Sequence, residues 1–232
     1  MKKIFLLLWF VLLGLFEVQA YQFEKNGIYY DIVNGKAVVV SGDVSYSGDV
    51  VIPDSVEYDD VYLEVDSISE YAFQKSESLS SIVLPKSLTS IGESAFSGCS
   101  NVDTLSFLGR MDSINWNAFT DGNSANQNIK RVYINDLSTW LNSQRYIDIK
   151  IVGYEALSAP EAVLYLDGKL LTDMVVPEGV KEIKPYTFYG MDSIRSVTLP
   201  KTLKNIAKSA FENCIYNHRT TKTNQKYPSV NL

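Results

Sequence analysis

The chain has 232 residues, of which 46% are hydrophobic, and its 21 basic and 27 acidic side chains give a formal net charge of −6. This composition is typical of a globular protein that is long enough to bury a sizeable core. The acidic balance makes nucleic acid a poor candidate partner, because phosphate binding needs a concentrated basic face.

Residues 1–20 have the three parts of a secretory signal peptide. Lys2 and Lys3 precede an apolar run from Ile4 to Phe16, and small residues lie one and three positions before the expected cut after Ala20. The run is too short for a spanning helix, and no second long apolar stretch follows. We therefore expect a secreted or cell-surface protein with no transmembrane segment after signal removal; the alternative is an N-terminal membrane anchor.

Residues 21–63 predict an N-terminal β cap together with the hairpin of a first repeat. Two apolar segments, at 27–33 and 36–40, flank the dipeptide Asn34-Gly35, which is the strongest short hairpin signal. A cap of this kind is expected wherever a repeat array begins, because an open end would expose the core.

A repeat with a period of about 23 residues, in the range of leucine-rich repeats, dominates positions 64–214. Five copies of a motif I-x-x-x-A/T-F occur, and they begin at Ile68, Ile91, Ile114, Ile183 and Ile206. The interval from Ile114 to Ile183 is three times each of the others, so we expect it to hold worn or rebuilt units in register. The five motifs end at Phe73, Phe96, Phe119, Phe188 and Phe211.

A second motif, L-x-x-L-x-L, recurs in phase with the first and begins at Leu79, Val102, Ile129 and Ile194. This spacing predicts a β-rich repeat solenoid with one short strand per coil, whose apolar residues point inward. The A-F pair is predicted to lie in a short helical or turn segment, where the Phe fills the gap between neighbouring coils.

The pattern breaks at residues 135–172, which we interpret as an irregular insertion within the same solenoid. It predicts a short helix N-capped by Asp136 and a hairpin at Asp167-Gly168. The tail, residues 215–232, is polar and lacks the expected next strand, so it is predicted to be disordered. Since the last coil then has no cap, either the chain is truncated relative to longer relatives or a partner covers its end.

The complete unit, Ser78 to Asn101 (SLSSIVLPKSLTSIGESAFSGCSN), resembles the BspA-like leucine-rich repeats of secreted and surface bacterial proteins. The segment from Val50 to Phe73 is similar to that family's usual first repeat, in which a hairpin is inserted, and the match covers roughly Val50 to Cys214. The resemblance implies a right-handed solenoid that is used for adhesion or partner binding and has no catalytic residues.

The two cysteines, Cys99 and Cys214, occupy the same phase of repeats that lie five periods apart. Stacked coils are separated by about 4.8 Å each, so the pair lies well beyond the roughly 7 Å Cα limit for a disulfide. We predict two buried free thiols.

The residue inventory argues against catalysis. The chain has one histidine, His218 in the tail, so a Ser-His-Asp triad, a Cys-His pair and a His-rich metal site all lack parts. We expect no enzymatic activity and no cofactor. The alternative is a polysaccharide-degrading solenoid with paired carboxylates, but Asp103, beside Lys130, is the only carboxylate predicted to point from the strand face.

Four acidic residues cluster near the first hairpin. They do not have the spacing of a calcium-binding loop, so solvated turn residues are the preferred interpretation and no metal is expected. The four are Asp49, Asp54, Asp59 and Asp60.

Outward-pointing strand residues form the best candidate binding face. They combine residue types that are enriched at interface hot spots and lie on rigid strands that need little ordering. The alternative is that they only solvate the sheet. Tyr58 and Tyr62 form a second candidate patch, which pairing across the turn explains equally well. The predicted binding residues are Lys130, Arg131, Tyr133 and Arg195.

Three functions follow from these features. The leading hypothesis is a secreted or cell-surface recognition and adhesion module that binds a protein or glycan partner through the exposed strand face. The alternatives are the carboxylate-based polysaccharide-degrading enzyme and a structural fragment of a larger surface assembly.

Overall fold

The computed structural model describes residues 21–115, 117–119, 129–143, 162–212, 214 and 219–220, so the predicted signal peptide lies outside the described residues. Short strands dominate, and α1 (Leu137–Asn142) is the only helix within those ranges. None of the described helical segments is long and apolar enough to cross a membrane. The strands are β1 (Phe23–Lys25), β2 (Ile28–Val33), β3 (Lys36–Val39), β4 (Gly48–Val51), β5 (Ser55–Tyr58), β6 (Val61–Ile68), β7 (Leu79–Leu84), β8 (Ser90–Ile91), β9 (Thr104–Phe107), β10 (Ser113–Ile114), β11 (Arg131–Ile134), β12 (Val163–Leu166), β13 (Lys169–Leu170), β14 (Asp173–Val175), β15 (Glu182–Ile183), β16 (Ser196–Thr198), β17 (Asn205–Ile206) and β18 (Arg219–Thr220).

One strand from each successive coil joins a parallel ladder. The larger ladder, which we call the outer sheet, has the order β13-β12-β11-β9-β7-β4 and is parallel except for the β12–β13 hairpin. Ser81 of β7 pairs with Thr104 of β9, one repeat period later. A separate three-stranded parallel sheet, β14-β16-β18, has the same register. The predicted β-rich repeat solenoid is confirmed, and each of these coils contributes one strand to the ladder.

The structure adds a second ladder that the sequence did not predict. The repeat isoleucines Ile68, Ile91 and Ile114 pair in parallel through β6, β8 and β10. The strands β15 and β17 repeat this pairing one period apart. The A-F segments that follow are turns, which is one of the two predicted forms. Each regular coil therefore consists of two strands joined by tight turns.

The repeat phenylalanines stack on one another through the core. The ring centroid of Phe96 lies 5.0 Å from that of Phe73 and 4.9 Å from that of Phe119, with the rings close to parallel. Phe188 and Phe211 stack in the same way at 5.1 Å. Their alignment confirms that the repeat period of the sequence is the step of the solenoid.

A tyrosine between β3 and β4 packs on the N-terminal end of this column. The ring of Tyr46 lies 4.3 Å from that of Phe73. Its hydroxyl donates to the carbonyl of Val40 at 2.7 Å and accepts from the amide of Tyr29 at 3.1 Å. A buried hydroxyl needs such partners, so Tyr46 ends the hydrophobic column with a satisfied polar group.

The long interval between Ile114 and Ile183 holds rebuilt units, as expected, but they do not keep the repeat register. Arg131 of β11 pairs with Thr104 of β9, which is more than one period earlier, and Val163 of β12 pairs with Arg131 across a still longer interval. The longer connection from β11 to β12 contains α1. Its N-cap, Asp136, accepts from the amide of Thr139, as predicted. Residues 144–161 of the predicted insertion lie outside the described residues.

The tail prediction is corrected at two residues. Arg219 and Thr220 form β18, which pairs in parallel with Ser196 and Val197 of β16. The expected next strand is therefore present, one period after β16. The rest of the segment from 215 to 232 falls outside the part of the chain that the structure describes.

Both cysteines are free thiols, as predicted, although only Cys99 is fully buried and Cys214 is partly buried. Their sulfur atoms donate to equivalent carbonyls, of Phe73 at 3.0 Å and of Phe188 at 3.1 Å. Burial raises the pKa of each thiol to about 12.

Candidate functional site

The outer face of the outer sheet is formed by two rows of side chains that run across the coils. Successive strand residues point to opposite sides, so the buried residues between the rows face the core. The first row is Asp49, Ser81, Thr104, Arg131 and Val163, and the second row is Val51, Val83, Ser106, Tyr133 and Tyr165.

Three of the four predicted binding residues lie together, and the fourth does not. Arg131 and Tyr133 are on β11, and the exposed Lys130 immediately precedes that strand. Arg195 is also exposed, but it precedes β16 and thus belongs to the three-stranded sheet. Its phase matches that of Lys130, which explains why the repeat pattern grouped them.

Arg131 is held across the neighbouring coil. One guanidinium nitrogen lies 2.7 Å from both carboxylate oxygens of Asp103, and Nε donates to the hydroxyl of Thr104 at 2.9 Å. Lys130 does lie beside Asp103, as predicted, since its amide donates to the carbonyl of Asp103 at 2.8 Å. The carboxylate of Asp103, however, forms its ion pair with Arg131. Such an exposed pair adds little stability but fixes the direction of the side chain.

Two tyrosines stack on the outer face. Tyr133 and Tyr165 are direct partners in the β11–β12 ladder, and their rings lie 4.5 Å apart at an angle of 12°. Sequence reasoning missed Tyr165. The signal was present, because Tyr165 stands between Leu164 and Leu166 just as Tyr133 stands between two inward-facing residues.

The outer faces carry more carboxylates than the sequence predicted. Asp49 accepts hydrogen bonds from the hydroxyls of Ser81 at 2.6 Å and Ser80 at 2.8 Å. On the three-stranded sheet, Asp173 accepts from Ser196. These bonds hold the pKa of both carboxyls below its usual range. The expectation that Asp103 is the only carboxylate on this face is wrong.

The second predicted patch is divided between two surfaces. In the β5–β6 hairpin, Tyr58 pairs with Val61 and Tyr62 pairs with Glu57, so the two tyrosines lie on opposite faces. The ring of Tyr58 packs against Phe23 at 4.5 Å, whereas Tyr62 is 72% exposed. They do not form one site, and the prediction of a shared patch is wrong.

The acidic residues near this hairpin also occupy separate positions. Asp59 and Asp60 form its turn with positive φ angles of 48° and 63°. Asp54 accepts from the amide of Ser87 at 3.1 Å. Within the described ranges, no group of three or more potential ligand side chains is arranged to hold a metal ion.

Comparison with known proteins gives a family and a set of related folds. A family model described as BspA type leucine rich repeat region matches residues 55–149 and 164–230 in six copies. No curated protein matches the chain.

Two solved structures illustrate the related folds. A leucine-rich repeat protein from Bacteroides ovatus is 21% identical, with 84% of this chain and 51% of that chain covered and a TM-score of 0.46. A leucine rich cell surface protein from Faecalibacterium prausnitzii is 17% identical, with 90% and 56% covered and a TM-score of 0.41. The chain spans only a little over half the length of each of them.

Proposed function

Because the chain belongs to the BspA type leucine-rich repeat family, we propose that it is a secreted or cell-surface recognition module that binds a protein or glycan partner through the outer face. The observation that carries this proposal is the stack of Tyr133 on Tyr165 beside Arg131 on adjacent strands. The signal-peptide pattern of residues 1–20 supports export.

The side chains of this face are already ordered before a partner arrives. Arg131 is fixed by Asp103 and Thr104, and the two tyrosine rings restrain each other. Ordering a mobile side chain on binding costs about 0.5–1.5 kcal/mol, so a pre-arranged face retains more of its contact energy. Tyrosine and arginine are also the residue types that most often dominate binding energy at interfaces.

A pull-down from the organism's secreted fraction and from host extracellular extracts, together with a glycan array, tests the proposal. We expect a specific partner that is retained by the wild-type protein and lost when Arg131, Tyr133 and Tyr165 are all changed to Ser. The matched control is Tyr71→Ser, an exposed tyrosine in an A-F turn away from the outer sheet. Equal recovery of the partner by the triple variant and by Tyr71→Ser would remove the proposed face.

Two single variants, Lys130→Ser and Arg195→Ser, test the remaining two of the four predicted binding residues. Lys130 adjoins Arg131 in the chain, so its loss is expected to weaken binding. Arg195 lies on the other parallel sheet, so its loss matters only if the partner spans both sheets.

Glycoside cleavage by paired carboxylates is the alternative activity. It requires one carboxylic acid with a raised pKa. The hydrogen bonds to Asp49 and Asp173 lower the pKa of each carboxyl instead. The test is a screen for reducing sugar released from a panel of polysaccharides. Activity that is lost in an Asp49→Asn or Asp173→Asn variant would show that the protein is a glycoside hydrolase and would contradict the proposed recognition function.

A further inference from the structure

The first strand of the outer sheet, β4, has an open edge. It pairs with β7 on one side, and no strand among the described residues pairs with its other side. The amide of Gly48 donates to Ser78 at 2.9 Å and that of Ile52 donates to Val83 at 3.1 Å, both toward β7. Because backbone groups alternate between the two edges of a strand, the N–H groups of Asp49 and Val51 point away from β7.

Two clefts lie along this open edge. One of about 300 Å³ lies between the β1–β2 turn and residues 44–51, and one of about 250 Å³ lies between the same turn and residues 51–57. Asn26, Ile28 and Val51 line both clefts, so the two meet at Val51. No residue of β7 lines either cleft, which places the combined groove on the edge that the solenoid leaves unpaired.

The groove has the chemistry of a strand-binding site. Its centre is Val51, whose exposed fraction is 63%. The strand β4 reads Gly-Asp-Val-Val and carries neither lysine nor proline, so its outward N–H groups remain able to pair. Beside Val51 on the outer face stands Asp49, whose carboxylate accepts from the hydroxyls of Ser80 and Ser81, which lower its pKa. The rim is completed by the Lys25–Glu57 ion pair at 3.8 Å.

We propose that this groove binds an extended peptide segment of a partner protein, which pairs with β4 as an added strand. The peptide backbone bonds to the outward groups of Asp49 and Val51, an apolar side chain covers Val51, and a basic side chain two positions away faces Asp49. The β1–β2 hairpin forms the opposite wall of the groove, so the space suits one strand and not the end of a second solenoid. This groove is separate from the Tyr133–Tyr165 face, and the outer-face proposal does not depend on it.

A designed peptide tests the proposal directly. The probe is a fluorescein-labelled heptapeptide of sequence TVRVVVT, measured by fluorescence anisotropy with the purified protein. We expect saturable binding, and we expect Val51→Pro to weaken it about tenfold or more, because proline removes the outward N–H while leaving the bonds to β7 intact. The matched control is Val175→Pro on the edge strand β14, where the valine is 66% exposed, and it should bind as the wild type does.

Three further measurements do not depend on the folding of a proline variant. The same peptide N-methylated at alternate amides should fail to bind, and the amides of Asp49 and Val51 should exchange more slowly when the unmodified peptide is present. Asp49→Asn should weaken binding of TVRVVVT but not of TVTVVVT.

Absence of binding at about 1 mM peptide, or equal binding by Val51→Pro, overturns the proposal. Self-association of the protein that is abolished by Val51→Pro would also overturn the proposal, because the groove would then bind a second copy of this chain.

Discussion

At the scale of single residues, the solenoid depends on side chains that recur at one position of the coil. Phe96 is buried between two other rings at about van der Waals contact, whereas Phe211 stacks on one described ring and remains partly exposed. A close-packed interior does not collapse fully around a missing ring. The loss of stability on removing a ring therefore increases with the number of rings that contact it.

We predict that Phe96→Ala lowers the free energy of unfolding by about 3–5 kcal/mol, as for other buried phenylalanines. Phe211→Ala should lower it by clearly less. Urea denaturation followed by circular dichroism measures both. Equal losses of unfolding free energy in the two variants would contradict the packing of Phe96 between two other rings.

Burial of the Cys99 thiol predicts a dependence of stability on pH. Its pKa is raised from 9.0 to about 12, so the folded protein keeps a proton that the unfolded chain loses above pH 9. The free energy of unfolding should therefore fall as the pH rises from 9 toward 12. The fall should be less steep in Cys99→Ala, in which Cys214, Tyr30 and Tyr46, whose pKa values burial also raises, still titrate. Identical slopes in denaturation series at pH 8 to 11 would contradict the burial of this thiol.

At the scale of elements, the sequence predicted the strands of the L-x-x-L-x-L motif wherever the repeat period was intact. The regular coils with β7 and β9 follow from the L-x-x-L-x-L spacing alone. The two longer steps on either side of β11 did not follow, because inward and outward alternation reveals which residues are buried but not which coil a strand joins. The short ladder of β8 and β10 was also missed, since strands this short contain too few positions to show a pattern.

The cap of α1 can be tested at this scale. Asp136→Ala should reduce the free energy of unfolding by about 1 kcal/mol, because the amide of Thr139 loses its acceptor. Asp136→Asn, which retains an acceptor oxygen, is the control. The hydrogen bonds from Thr139 lower the pKa of Asp136, so its stabilising effect is present above the ordinary aspartate pKa and disappears as the pH falls through the lowered value. A difference between Asp136→Ala and wild type that is unchanged down to pH 2 would contradict this role.

At the scale of the whole molecule, each coil contacts only its neighbours, so protection against exchange should follow position in the ladder. The strands β9 and β11 have partners on both sides, whereas β4 and β14 have a partner on one side only within the described part of the chain. Hydrogen exchange with mass spectrometry should show slower exchange in β9 and β11 than in the two edge strands. Uniform protection along the chain would indicate a different architecture.

The candidate site shows what the sequence could and could not reveal. The outward positions of Arg131 and Tyr133 followed from the strand pattern. The Arg131–Asp103 pair and the Tyr133–Tyr165 stack depend on the irregular registers of β11 and β12, which no motif encodes. The open edge of β4 likewise emerges only when the order of strands is known.

Contacts between aromatic rings test the central claim, which is that coils one repeat period apart stack in parallel. We expect nuclear Overhauser effects in solution between the rings of Phe73 and Phe96, Phe96 and Phe119, and Phe188 and Phe211, whose centroids lie 4.9–5.1 Å apart. The absence of these three contacts from an otherwise assigned spectrum, with the same rings close to unrelated residues, would contradict the stacked architecture and the outer face that depends on it.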